Sequence, residues 1–270
     1  MDTAVPCEQY GRRDAASAAA RDLTGKVALV IGGSRDQGAA CAESMAARGA
    51  VTVLTYSRGE HAAARTLARL DRYAVPVEAI RSDATRSEDV TRLFSGVKTR
   101  HGRIDIVVHT VGSMRSKALS DSTDADFDLL IDSNVRSVFH TLRAATAHLA
   151  DHGRYVVISS ALPPAGRGLY AAAKAAVDTL VVAAAHELAA RDITVNAVAP
   201  GPVGDSAAGE DQPLPASPRG RLGQPEDVAR VVEWLTSTGA DWVSGQTIRV
   251  DGSPHLGLTA SRPHTERFQE

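Results

Sequence analysis

Cysteine is nearly absent from this chain. Cys7 and Cys41 are the only two, too few for a disulfide framework, and no CxxC pair or Cys/His cluster has the spacing of a zinc site. A reducing cytoplasm is therefore the default compartment, and no metal is expected. Long hydrophobic runs are also scarce, and none approaches the length of a membrane span. The first 22 residues hold Arg12-Arg13 and an Ala-rich AASAAA. They lack the apolar core of a secretion signal and read as a mobile leader. Excess charge is missing too: a net charge of −2 and a pI near 6.5 give no general pull toward nucleic acid or an anionic membrane. Neither partner is implied, and no internal repeat is visible.

What the 270 residues do contain, at 43% hydrophobic and 23% charged, is enough apolar material for one globular domain with a full core. Its expected span is 23–252, with a polar tail over 253–270. Short β-branched runs, KVALVI, VTVLTY, VPVEAI, IDIVVH, RYVVIS, DITVNAV and QTIRV, read as strands covered on both faces. Helical patterns lie between them, near 38–48, 60–72, 87–101, 125–150, 169–190 and 226–237. This alternation predicts an α/β fold with a doubly wound, mainly parallel seven-stranded sheet. Its ligand crevice lies beyond the carboxyl ends of the strands, so functional residues should follow strands. The segment 201–223, rich in Gly, Pro, Ser and Asp, reads as a long loop beside that crevice and as a substrate lid.

Two constellations carry chemistry. Tyr170 and Lys174 stand four apart in LYAAAKAAVDTL, behind a strand, so a phenol and an ammonium share one helix face. The ammonium favours phenolate, which lets Tyr170 exchange a proton with a carbonyl or alcohol oxygen near neutral pH. The second is the turn after the first strand, IGGSRDQG. Its Gly32, Gly33 and Gly38 let backbone approach a pyrophosphate while the helix N-terminus attracts the charge.

In this order the motifs resemble the short-chain dehydrogenase/reductase family, single-domain type, over residues 24–252. The family's TGxxxGxG turn corresponds to Ile31-Gly32 through Gly38, with Asp36 in place of the middle glycine, and YAAAK matches its YxxxK. Ser160 matches the active-site serine, Asn134 the catalytic-loop asparagine, and Pro200-Gly201 the PG turn. The resemblance implies a Rossmann-type fold and an NAD(P)-dependent ketoreductase. Tyr170 would be the general acid, and Ser160 would hydrogen-bond the substrate oxygen. Lys174 would lower the Tyr170 pKa and hold the nicotinamide ribose, and Asn134 would kink its helix and support a relay water. It also implies cofactor contacts from Ser34, Gln37, Asp83, Ala84, Gly112 and Val203. The substrate would be a largely apolar ketone or a carrier-bound intermediate of fatty-acid, polyketide or secondary metabolism. A homotetramer or homodimer would form through the helices near 125–150 and 169–190 and the closing strand.

Departures from the pattern motivate an alternative, a redox-silent scaffold using Tyr170 and Ser160 for cyclisation, dehydration or isomerisation. A non-catalytic binding protein is a further reading. If Asp36 faced a pyrophosphate, two charges about 4 Å apart would repel by roughly 4 kcal/mol at an effective dielectric near 20. Outward orientation as a helix N-cap, or neutralisation by Arg35, would avoid this. His109-Thr110-Val111-Gly112 stands where the family has NNAG, and His109 is expected to be a core residue bonded to backbone. Asp205 replaces a threonine that contacts the carboxamide. Ser160 and Tyr170 lie ten apart rather than about thirteen, which leaves Ser159 and Ser160 both open as the active serine. At the end of the second strand TYSRGEH has no acid for a ribose diol. Ser57, Arg58 and Arg35 suit a 2′-phosphate, favouring NADPH over NADH.

Overall fold

The computed structural model describes residues 21–161, 166–204, 217, 219 and 221–253. β-Branched runs become strands β1 (Val27–Ile31), β2 (Val51–Tyr56), β3 (Val77–Arg81), β4 (Ile106–His109), β5 (Arg154–Ile158), β6 (Thr194–Pro200) and β7 (Thr247–Val250). They form one seven-stranded sheet in the order β3-β2-β1-β4-β5-β6-β7. Every pairing is parallel, so the sheet is wholly rather than mainly parallel.

Between the strands lie α1 (Asp36–Ala47), α2 (Glu60–Leu70), α3 (Ser87–His101), α4 (Asp124–Leu130), α5 (Ser137–His148), α6 (Gly168–Leu188) and α7 (Pro225–Leu235). Alternate side chains of a strand point to opposite faces, and the core divides accordingly. Val27, Leu29 and Ile31 of β1 pack with apolar residues of α3, α5 and α6. Ala28 and Val30 pack with those of α1, α2 and α7. Chain direction therefore reverses its winding between β1 and β4, which opens a crevice at their carboxyl ends.

Three expectations change. The single helix foreseen over 125–150 is broken by a π-helical turn, Ile131–Arg136. Wider i→i+5 bonding leaves carbonyls unmatched, and side chains take them up. Ser133 donates to the Leu129 carbonyl at 2.6 Å, Asn134 to Leu130 at 3.0 Å and Ser137 to Ser133 at 2.7 Å. The stretch Gly168–Arg191 is, at 24 residues and a mean hydropathy of 1.4, long and apolar enough to cross a membrane by length and composition alone. Here its Val177, Val181 and Leu188 belong to the core. Finally, the leader foreseen over 1–22 does not extend to Asp22, which is paired with the domain. Residues 1–20, most of the 201–223 loop and the tail from 254 lie outside the described residues.

Asp22 accepts from the buried Arg48, whose Nε and Nη2 lie 2.8 and 2.5 Å from its carboxylate. The same guanidinium donates to the Glu233 carbonyl at 2.9 Å and to Thr236 Oγ1 at 2.8 Å, tying the chain start to the end of α7. Arg48→Ala removes three partners at once and is expected to lower stability by about 2 to 4 kcal/mol in urea unfolding. A loss under half a kcal/mol would show that this junction is not a structural tie.

Candidate active site

The crevice is a cleft of about 1220 Å³ at the carboxyl edge of the sheet, and the residues singled out from the sequence as catalytic or cofactor-binding line it, except Gly33, which packs against Leu54 and Val30. Gly32, Ser34, Arg35, Gln37 and Gly38 come from the turn between β1 and α1. Ser57 and Arg58 follow β2, Asp83 and Ala84 follow β3, and Gly112 follows β4. Asn134 comes from the π turn, Ser160 from the end of β5, Tyr170 and Lys174 from α6, and Pro200, Gly201 and Val203 from the end of β6.

At the β1 turn the backbone itself is the wall. Gly32 has φ +84°, and a Cβ on Gly38 would lie 2.3 Å from the Gly32 carbonyl oxygen. Thr110, two residues short of Gly112, fixes this turn from β4. Its hydroxyl donates to the Ile31 and Gly32 carbonyls at 2.9 and 3.1 Å. The glycine cradle beside a helix N-terminus fits the pyrophosphate of a dinucleotide.

Asp36 is not an N-cap. The cap position belongs to Arg35, and Asp36 is the first helical residue, held at φ +49°, where its family counterpart is glycine. Left-handed backbone is least costly for Gly, Asn and Asp. The Asp36 side chain is 54% exposed, and its Oδ2 lies 3.7 Å from Arg35 Nε. The side chain is thus solvent-exposed with Arg35 beside it, while Asp36 still lines the cleft.

At the other end of the cleft, Lys174 is buried at 6% exposure. Its Nζ donates to the Ile158 carbonyl at 2.9 Å and sits 5.8 Å from the centre of the Tyr170 ring. Burial pushes its pKa down to about 8, partly opposed by the negative charge of Asp178 one turn on. Asn134 is fully buried, and its amide nitrogen donates to the Ser113 carbonyl at 2.9 Å. Its Oδ1 has no protein partner. A Cβ on Gly112 would lie 2.6 Å from Asn134 Oδ1 and 3.3 Å from Lys174 Nζ, so both groups converge on that glycine. Of the two serines, Ser159 is buried with an unpartnered hydroxyl. Ser160 is half-buried, and both line the cleft.

His109 is a core residue, fully buried, but neither ring nitrogen has a hydrogen-bond partner. Backbone groups of His109 itself and of Ser137 still lie close enough to favour its protonated form, so the contact with backbone is made, with strained geometry. Burial first, and the Lys174 charge second, push its pKa down to about 3, so the imidazole is neutral. Asp205 lies outside the described residues. Arg81 and Ser159 also line the cleft.

The family profile described as Enoyl-(Acyl carrier protein) reductase matches residues 34–255. "Hydroxynaphthalene reductase-like protein Arp2" of Metarhizium brunneum is 35% identical over 86% of this chain and 96% of its own length. "Versicolorin reductase 1" of Aspergillus parasiticus is 35% identical over 85% and 96%. Among solved structures, the angucycline C-6 ketoreductase LanV with bound NADP superposes with a TM-score of 0.80 at 30% identity, over 86% of this chain and 96% of that one.

The buried ammonium has a signature in stability. A base whose folded pKa is lowered to about 8 from 10.5 penalises the folded state at neutral pH. That penalty is relieved as pH rises from about 8 to 10.5, where the unfolded chain binds more protons. Lys174→Met should remove this rise, worth about 3 kcal/mol at most. Thermal melts of parent and variant across pH 7 to 10.5 check it, and parallel curves would overturn it.

Proposed function

The chain belongs to the short-chain dehydrogenase/reductase family and is an NAD(P)-dependent oxidoreductase, and from that premise we propose that it reduces a ketone to a secondary alcohol with NADPH as the reductant. The observation that carries this reading is the convergence of Tyr170, Lys174, Ser160 and Asn134 at the end of a cleft whose opposite end is a glycine cradle. A nicotinamide dinucleotide bound along that cleft supplies the hydride. Reduction leaves negative charge on the carbonyl oxygen, and Tyr170 delivers the proton that quenches it. Ser160 donates a hydrogen bond to the same oxygen and orients the carbonyl. Lys174 keeps its charge beside the Tyr170 ring and stabilises phenolate after the transfer. Lys174 then passes a proton back to the phenolate, and Asn134, held by Ser113 and Leu130, offers its free Oδ1 to a water that returns the proton to Lys174.

The relatives' names point to hydroxynaphthalene, versicolorin and angucycline chemistry. We extend that to this chain as fused-ring, phenolic ketones of secondary metabolism. Assembly through α5, α6 and the β7 side belongs to the same reading. Phe139, Val182 and Trp242 are exposed there, and large apolar side chains gathered on a surface mark association sites. The redox-silent alternative rests on Asp36, His109 and Asp205, of which Asp36 has Arg35 Nε at 3.7 Å.

Tyr170→Phe is expected to lower NADPH-dependent reduction of a cyclic aromatic ketone by about 10² to 10⁴-fold, while calorimetry still finds NADPH bound. Near-normal turnover would place the proton donor elsewhere. Asp36→Gly removes the carboxylate at the cradle, and NADPH should bind the variant more tightly by up to about tenfold. Weaker binding would mean that Asp36 helps to hold the cofactor.

A further inference from the structure

We propose that Arg81, at the carboxyl end of β3, binds the 2′-phosphate of the cofactor together with Arg58 and so sets the preference for NADPH; this rests on the NADPH reading above. The sequence directs attention to the end of β2, where Ser57 and Arg58 follow Tyr56. In the sheet Arg81 pairs with Tyr56, and its Nε donates to the Ser57 carbonyl at 3.3 Å. One guanidinium is thereby drawn to the strand end where the other originates, and both line the cleft.

Charge accounting in this corner singles out the same two residues. Arg35 faces Asp36 at 3.7 Å, and Arg86 faces Glu88 at 3.9 Å. Asp89 pairs with Arg92 and accepts from the Asp83 amide. Asp83 is occupied by Thr85, whose amide and hydroxyl lie 3.0 and 2.8 Å from its Oδ1. Among the described residues no carboxylate lies within ion-pair distance of Arg58 or Arg81. The terminal nitrogens of Arg81 make no hydrogen bond there. Two guanidiniums without a carboxylate partner at neighbouring strand ends leave this corner of the cleft positively charged. A neutral ribose diol does nothing to offset that charge. A phosphate monoester offsets it, and each guanidinium presents paired donors to its oxygens. Arg35, the loop arginine, is the poorer candidate because Asp36 already offsets its charge.

Calorimetric titration with NADPH and NADH tests this on the parent, Arg81→Ala, Arg81→Gln and Arg58→Ala. The expected result is tighter NADPH than NADH binding by the parent. Each variant should bind NADPH about tenfold more weakly and NADH unchanged. Arg81→Gln keeps a polar donor near Ser57, so its matching loss would assign the effect to charge. Weakened NADPH binding by Arg58→Ala with none by either Arg81 variant would overturn the Arg81 assignment and leave the NADPH reading standing. Equal loss of both dinucleotides on changing Arg81 would reassign it to holding the Ser57 backbone. A parent that binds the two dinucleotides equally would overturn the NADPH reading and this proposal with it.

Discussion

The buried ammonium of Lys174 is the constraint around which this cleft is organised. A cation at 6% exposure with one protein hydrogen bond, to the Ile158 carbonyl, is costly unless its surroundings compensate. The compensation comes from several elements at once. α6 supplies the negative charge of Asp178, and β5 ends in a carbonyl aimed at Nζ. The π turn brings a free amide oxygen to Gly112, and that position has to be glycine because any Cβ would collide with Asn134 and crowd Nζ. The neutral His109 fits the same picture: placed within reach of the Lys174 charge, an imidazolium there would add a second buried cation. The neutral imidazole and the unpartnered Asn134 Oδ1 both belong to the surroundings of this one charge.

At the far end of the cleft the electrostatic problem is reversed. There the ligand is the anion, and the protein supplies backbone N–H groups, a helix N-terminus and arginines. Asp36 is out of place in this setting, yet its backbone holds a left-handed conformation that glycine takes at least cost. The turn carries a charge there, and Arg35 stands beside it. The geometry for pyrophosphate and the charge for phosphate recognition are separable properties, carried here by different residues.

That separability explains what could be read from the sequence. Strand and helix positions followed from periodicity and β-branching, because a sheet buried on both faces imposes continuous apolar runs. The residues lining the cleft followed from motif order, since each sits at a strand end that the alternation locates. The π turn was not legible. Its carbonyls are satisfied by Ser133, Asn134 and Ser137, whose pattern in IDSNVRSV resembles ordinary polar helix residues until the hydrogen bonds are seen. Arg81 was missed for a related reason: it is a surface arginine by composition and becomes a cleft residue only through its register with Tyr56. The roles foreseen for His109 and Asp36 required a partner and a backbone angle, and neither is encoded locally.

Chemistry and recognition occupy the two sides of the point where the sheet reverses its winding. In the proposed function, proton transfer would draw on β4, β5, α6 and the π turn, and dinucleotide selection on β1, β2 and β3. They meet at Thr110, which clamps the Gly32 turn from the strand that leads to Gly112. Because Thr110 bonds to carbonyls rather than to side chains, residues beyond the two glycines it packs against, Gly32 and Gly38, can change identity without breaking its hydrogen bonds. A charge such as Asp36 can then enter the recognition side while the Tyr170 and Lys174 pair keeps its spacing. For the same reason, selectivity for the dinucleotide and selectivity for the ketone can be altered independently on this scaffold.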